Sequence, residues 1–301
     1  MSEPLVELRL WRQFLAVAEE LHFGRAARRL HMTQPPLTQA IAQLERLLGV
    51  RVFERTKRSV QLTAAGETLV PQARELLARA AALPGQARAA ADGALGRLRI
   101  AFVSTAGYSL LPQWVRAFRG QYPQVQLELV EATGDVQLQA LERGDVDAGC
   151  MLHSPDFAPA GLSHLRVARE PLVLALPEAH ALATAPRLSL AAALAEPLVL
   201  FPRRVVPSLH DAILGMYHAA GHEPRIAQEA IQMQTIVNLV AAGLGLAWVP
   251  DSVRQFQRGG VTYRQLGGRQ AAEVPGCETS LVWSRASPVL DRFIACVRAH
   301  A

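Results

Sequence analysis

Residues 30–58, LHMTQPPLTQAIAQLERLLGVRVFERTKR, set Pro35 and Pro36 side by side in a stretch whose flanks read as helix. Inside a helix a proline removes a backbone donor and its ring clashes with the preceding turn, so a doublet should break the element. The first turn is the exception, because its amides have no intrahelical acceptor and the fixed proline φ already suits a helix. With Thr33 or Gln34 as N-cap, the doublet starts a helix carrying Leu37, Ile41, Leu44 and Leu48 at spacings of four, three and four. It stops at Gly49, a residue suited to a left-handed cap. So rigid a start fixes where Gln34, Thr38 and Gln39 project. A recognition helix entering a major groove needs this, although a well-capped structural helix would carry the same prolines.

The flanking segments narrow the choice. Leu8, Trp11, Leu15 and Ala18 recur at helical spacing, with Phe14, Val17 and Leu21 on a neighbouring stripe. Gly24 opens a short second segment, RAARRLHM, with Ala26, Ala27 and Leu30 able to pack inward and Arg25, Arg28 and Arg29 outward. After the third helix, Val50 and Val52 on one side and Val60 and Leu62 on the other bracket a polar tip, ERTKRS, which reads as a small hairpin. Three helices followed by a basic hairpin make a winged helix-turn-helix, whose wing reaches backbone or minor groove. Charge agrees. Residues 1–95 contain thirteen Arg or Lys and nine Asp or Glu, so +4 of the net +5 lies in the first third of the chain. RVFERTKR has four basic groups against one acid, a pattern fit for a polyanion and equally for a solvated loop.

The segment FLAVAEELHFGRAARRLHMTQPPLTQAIAQLERLLGVRVFERTKRSVQLTAAGETLV resembles the DNA-binding region of LysR-type transcriptional regulators over nearly its full length. The likeness rests on AVAEE, a helix with AA, QPPLTQAI, LE, LGV, VFER and LTAAG taken together. It implies double-stranded operator DNA as partner, with Thr33, Gln34, Pro35, Thr38 and Gln39 facing the major groove. Arg55, Lys57 and Arg58 of the wing would then lie at phosphates or in the minor groove. Many members carry arginine where this chain has Gln39. Glutamine favours adenine where arginine favours guanine, so the family's base preference does not carry over there.

Thr63 can cap a long alanine-rich helix starting at Ala64. Leu69, Ala73, Leu76, Ala80, Leu83, Ala87 and Ala90 alternate steps of four and three, which describes a coiled-coil seam of small residues or a helix buried against its own domain. The resemblance favours the seam and implies a homodimer or homotetramer through this linker. Pro84 and Gly85 interrupt it, so the helix either kinks or ends early, and either would make a hinge.

Beyond residue 93, strands and helices alternate: RLRIAFV, SLLPQWVRAFRG, QVQLELV, VQLQALERG and DVDAGCM, then a second run from PLVLAL through GLAWV. Alternation of this kind implies a parallel sheet with crossover helices. VTYRQL leads back to the first lobe, completed by TSLVWS and a terminal helix. Two α/β lobes joined by two crossings resemble the periplasmic-binding-protein fold of the LysR-type regulatory domain. The expected organisation is an α/β chain with a winged helix-turn-helix at 1–63, a linker helix at 64–92 and an effector-binding domain at 93–301. Its lobe I takes about 93–165 and 266–301, and its lobe II about 166–265.

Ligands in such sheets bind beyond the carboxyl ends of strands, at helix N-termini. Ser104 and Thr105 follow the first strand and Thr133 stands at another strand end, positions that plain N-caps also occupy. Similarity to members sensing benzoate-like acids and muconate implies that Thr105, Thr133, Phe201 and Met233 lie near the effector, with Ser104 beside them. Arg203 is expected as a carboxylate partner, since an arginine fork suits that group. The effector would be an aromatic or other small carboxylate, and RNA polymerase a further partner if the protein activates.

Other classes fit less well. There is no GxSxG or HExxH, and His218 and His222 are split by Gly221 and followed by Pro224, so neither an enzyme nor a metal or other cofactor is expected. Gly243 and Gly245 lack the third glycine of a dinucleotide fingerprint. Cys150, Cys277 and Cys296 are few and widely spaced, a pattern for a reducing cytoplasm, with a redox switch as the alternative mode of control. A free solute-binding protein would share the lobes but needs a signal peptide and no winged helix; MSEPLVELRLWRQF has no apolar run behind a basic segment. No stretch reads as a membrane span.

Overall fold

The computed structural model describes residues 5–56, 59–108 and 110–300. The chain divides into two compact units, Met1–Arg88 and Ala89–Ala301.

In the first unit α1 (Leu8–Glu20) buries Leu10, Phe14, Leu15 and Val17, and ends where Leu21 turns left-handed at φ 46°. The next helix, α2 (Phe23–Arg29), starts one residue before Gly24, because the imidazole of His22 caps it: Nδ1 accepts from the amides of Gly24 and Arg25 at 3.1 and 3.3 Å. Thr33 is the N-cap of α3 (Gln34–Leu48), so both prolines fall in the first turn, and Gly49 closes the helix at φ 69°. Leu37, Ala40, Ile41 and Leu44 face inward. The hairpin pairs β1 (Phe53–Arg55) with β2 (Val60–Leu62), Phe53 opposite Leu62. Phe53 anchors it to the core beside Phe14 and Phe23, at centroid distances of 5.5 and 6.1 Å.

Thr63 caps α4 (Ala64–Ala91), its hydroxyl accepting from Gly66 N at 3.0 Å and donating to the Arg51 carbonyl at 2.8 Å. The helix runs on through Pro84 and Gly85 to Ala91, so it does not end early. Its apolar seam splits in two. Leu69 and Ala73 pack into the core of the first unit, whereas Leu76 and Leu83 are 40% and 61% exposed.

The second unit runs β3 (Gly96–Phe102), α5 (Ser104–Tyr108), α6 (Leu110–Gln121), β4 (Val125–Glu131), α7 (Gly134–Arg143) and β5 (Ala148–His153). It continues with β6 (Ser163–Pro177), α8 (Ala181–Thr184), α9 (Leu190–Leu194), β7 (Leu198–Leu200), α10 (Pro207–Ala219), β8 (Ile226–Glu229), α11 (Met233–Ala241) and β9 (Ala247–Pro250). The last elements are β10 (Val261–Arg264), β11 (Gly276–Trp283) and α12 (Pro288–Arg298). The sheet is mixed, not parallel throughout. β4, β3 and β5 are parallel, but β11 runs antiparallel to β5 and β6, and β6 antiparallel to β9 and β10. Parallel neighbours need a crossover of a dozen or more residues; the chain instead passes between lobes on long strands that return in the opposite sense. β6 is the first of these. Residues 163–171 pair with β11 in one lobe, and residues 172–177 pair with β9 and β10 in the other. A parallel pair, β7 and β8, completes the second lobe through a bridge between Leu198 and Leu246. No helix among the described residues is long and apolar enough to cross a membrane.

Candidate functional site

Two surfaces collect the residues singled out from sequence. On the first unit Thr33, Gln34, Pro35 and Gln39 are exposed along the start of α3, and Thr38 is half-buried, its hydroxyl donating to the Gln34 carbonyl at 3.1 Å. Gln34 and Thr38 share a groove with His22, Gly24, Arg55 and Ser59, between the α2 start and the wing. Arg55 has partners within the unit. Its guanidinium lies 4.6 Å over the Phe23 ring and contacts the Glu45 carboxylate at 3.3 Å. Glu45 in turn accepts from the amides of Val52 and Phe53 at 3.0 and 3.2 Å, tying α3 to the hairpin. Lys57 and Arg58 lie outside the described residues. Sequence reasoning missed Glu45 and His22. A lone glutamate on a helix and a histidine before one carry no local signal for the long-range or capping bond each makes.

On the second unit, Ser104, Thr105, Thr133, Phe201 and Met233 line one cavity. Each sits where a strand gives way to a helix or loop: Ser104 and Thr105 after β3, Thr133 after β4 as N-cap of α7, Phe201 after β7, and Met233 first in α11. Gln232, the N-cap of α11, also lines it. The N-terminal ends of α7 and α11 therefore open on the cavity, with free amides and the positive ends of their dipoles. Gly134 permits this closeness, since a Cβ there would stand 2.8 Å from the Val205 carbonyl. Val103, Ala132, Leu152, Val205, Val206 and Ile231 form the apolar remainder of the wall, and no cationic side chain is among the lining residues.

Ser104, Thr105 and Thr133 add hydroxyls to these amides and to Gln232. Thr105 is 4% exposed and its Oγ1 is buried with no hydrogen-bond partner among the described residues. Thr133 donates to the Asp135 carboxylate. Tyr108, beyond Ser104, has a buried hydroxyl whose pKa burial pushes up to about 12, so it stays protonated.

Arg203 does not join them. Its guanidinium pairs in bidentate fashion with Asp211 at 2.8 and 2.7 Å, holding that carboxyl down at about 2, and it is not among the lining residues. The arginine fork does find a carboxylate, but it is that of Asp211, one helical turn into α10, and not a ligand's.

The three cysteines are free and buried. Burial pushes the Cys150 thiol up to about 12 and raises Cys277 and Cys296 as well, which keeps all three from the reactive thiolate form. Among the described residues no cluster of three or more His, Cys, Asp or Glu is arranged to hold a metal ion.

Residues 8–67 match the family described as "Bacterial regulatory helix-turn-helix protein, lysR family", and residues 91–301 match "LysR substrate binding domain". The chain is 49% identical over 295 residues to the HTH-type transcriptional regulator IlvR of Caulobacter vibrioides, covering 97% of both chains. It is 41% identical over 262 residues to the HTH-type transcriptional regulator AlsR of Bacillus subtilis, covering 87% of this chain and 86% of that one. Among solved structures, full-length CbnR complexed with its target DNA superposes with a TM-score of 0.80 at 32% identity, covering 98% of this chain and 99% of that one.

Proposed function

The chain belongs to the LysR family of bacterial transcriptional regulators, and on that footing we propose that its effector is a small organic anion, an aromatic or other compact carboxylate, received in the cavity of the second unit. The protein is a DNA-binding regulator with an effector-binding domain, not an enzyme. One observation carries the effector reading. Ser104, Thr105, Thr133, Phe201 and Met233 surround an apolar cavity onto which two helix N-termini open, and the Thr105 hydroxyl there has no partner among the described residues. Amides and hydroxyls would hold the carboxylate, and the apolar wall would select the body of the ligand. Arg203, paired with Asp211, is not part of this reading.

Binding acts as a population shift: the effector stabilises the arrangement of subunits for which it has the higher affinity. We take the division to be 1–63 for the winged unit, 64–92 for the linker and 93–301 for the two lobes. The exposed Leu76 and Leu83 on α4 favour a second copy of the chain as the linker's partner. A dimer would present two winged units to one operator in the cytoplasm, tetramers would pair dimers, and an activator would also engage RNA polymerase.

The carboxylate reading is tested by thermal melting of the purified protein against aromatic and aliphatic carboxylates. A ligand at a hundred times its Kd should stabilise by about 2.7 kcal/mol, and a rise confined to one chemical type identifies the effector class. A flat panel removes carboxylates from consideration and leaves DNA binding untouched.

For DNA, the reading assigns Thr33, Gln34, Pro35, Thr38 and Gln39 to the major groove and Arg55, Lys57 and Arg58 to the backbone or minor groove. That the related CbnR was solved with its target DNA supports it. Arg55→Ala is expected to lower the slope of log K against log salt by about one unit at every sequence. The Glu45 contact makes a second result informative: if affinity drops while the slope stays, Arg55 anchors the wing and touches no phosphate.

A further inference from the structure

The cavity that gathers Ser104, Thr105 and Thr133 is small. Its free volume is about 30 Å³, room for roughly two or three waters, whereas an apolar cavity that takes in benzene has roughly 150 Å³. Its polar groups suit one compact anion. Thr133 and Gln232, the N-caps of α7 and α11, make no side-chain cap bond, so the first amides of both helices are left for another acceptor. The hydroxyl of Thr105, a residue 4% exposed, has no partner among the described residues. The two oxygens of a carboxylate match that set. Beyond them the wall is apolar and buried, with Val103, Leu152, Phe201, Val206 and Met233.

That wall has little freedom to draw back. Phe201, Val205 and Val206 belong to the segment between β7 and α10, and the segment is tied both to itself and to α10. The Val205 amide donates to the Pro202 carbonyl at 3.0 Å, and the His210 amide to the Val206 carbonyl at 3.0 Å. Arg203, in the same segment, grips Asp211 of α10, and the Phe201 ring stands edge-on to His210 with centroids 6.3 Å apart. On the other side, Leu152 is carried by β5, which is hydrogen-bonded along both edges, to β3 and to β11. A close-packed wall of this kind resists added volume, because a larger guest forces side chains off their rotamers and shifts backbone. A ring attached directly to the carboxylate demands such a rearrangement. An acid of two or three carbons does not.

We infer that the effector is a short aliphatic carboxylate, of the size of acetate or propionate, and that the wall of Leu152, Phe201 and Val206 excludes aromatic acids. The inference rests on the carboxylate reading above and narrows it to one class.

The test titrates the full-length protein with sodium acetate, sodium propionate and sodium benzoate by isothermal calorimetry, with ionic strength held constant by sodium chloride. The wild type should bind acetate or propionate at least about tenfold more tightly than benzoate, the scale on which apolar pockets separate ligands of different bulk. Leu152→Ala should bind benzoate at least about tenfold more tightly than the wild type does, and Thr105→Val should bind the short acids roughly 10- to 100-fold more weakly. Benzoate bound by the wild type as tightly as the short acids overturns the inference and leaves the carboxylate reading standing. A short acid whose affinity is unchanged in Thr105→Val also overturns it, since that acid then binds elsewhere. If none of the three binds, the inference is overturned, and the wider carboxylate panel described above decides whether the carboxylate reading falls with it. If Leu152→Ala melts early, Val206→Ala is read in its place, with a gain for benzoate expected there too. No gain in a variant that melts like the wild type overturns the inference.

Discussion

Gly66→Ala is expected to destabilise the first unit by about 3 kcal/mol, lowering the melting temperature of that 88-residue unit (Met1–Arg88) by roughly 12 °C or more, with loss of DNA binding near the new midpoint. An added Cβ would stand 2.2 Å from the Val52 carbonyl oxygen and 2.9 Å from Leu62 Cδ2. The carbonyl cannot step aside cheaply. It accepts from Thr63 N at 3.1 Å, while the amide of the same residue donates to Glu45 at 3.0 Å, so moving it loosens the wing from both neighbouring helices. Gly85→Ala in the same helix is the control, because nothing lies within 4 Å of the Cβ it would add. There alanine should be neutral or stabilise by about 1 kcal/mol through helix propensity. Circular dichroism melts of the two variants decide the matter. Equal melting temperatures would mean that the hairpin can give way at no cost, and the glycine of LTAAG would need another explanation.

Thr105→Val is expected to abolish the effector response while leaving affinity for DNA intact. The substitution keeps the shape and removes one hydroxyl. That hydroxyl bonds to nothing among the described residues, so the folded protein loses no hydrogen bond by it. Burying an unsatisfied polar group costs about 1–3 kcal/mol, so the unliganded variant should melt at or above the wild-type temperature. A ligand that used the hydroxyl should bind roughly 10- to 100-fold more weakly, the equivalent of one lost hydrogen bond to a charged group. Reporter output and ligand-induced melting shifts, measured side by side, test this. A valine variant that responds normally would exclude Thr105 as a ligand contact. A variant that melts early would mean the hydroxyl has a structural partner.

Much of the first unit was legible because its signals are local. The proline doublet and Gly49 constrain the few residues beside them, and helix α3 follows; the hairpin around ERTKRS is there too, but its first strand is Phe53–Arg55, past Val50 and Val52, with Phe53 buried in the core. Strand ends were legible for the same reason: a hydroxyl between an apolar strand and a helix marks a turn whose amides are free. That suffices to nominate Ser104, Thr105 and Thr133, and the fold gathers them at one cavity.

What the sequence determined by itself was therefore the kind and order of elements, the winged unit ahead of two α/β lobes, and the strand ends that line the cavity. What only the tertiary structure decided was which side chain meets which. Arg203 turns to Asp211 and Arg55 to Glu45, β11 returns antiparallel, and Val205, Val206 and Ile231 line one cavity with the Thr105 hydroxyl, which has no partner among the described residues. The physical reason is range. Caps, turns and periodicity act over a few residues, whereas ion pairs and cavity walls depend on groups far apart in the chain, whose meeting is settled only when the core has packed.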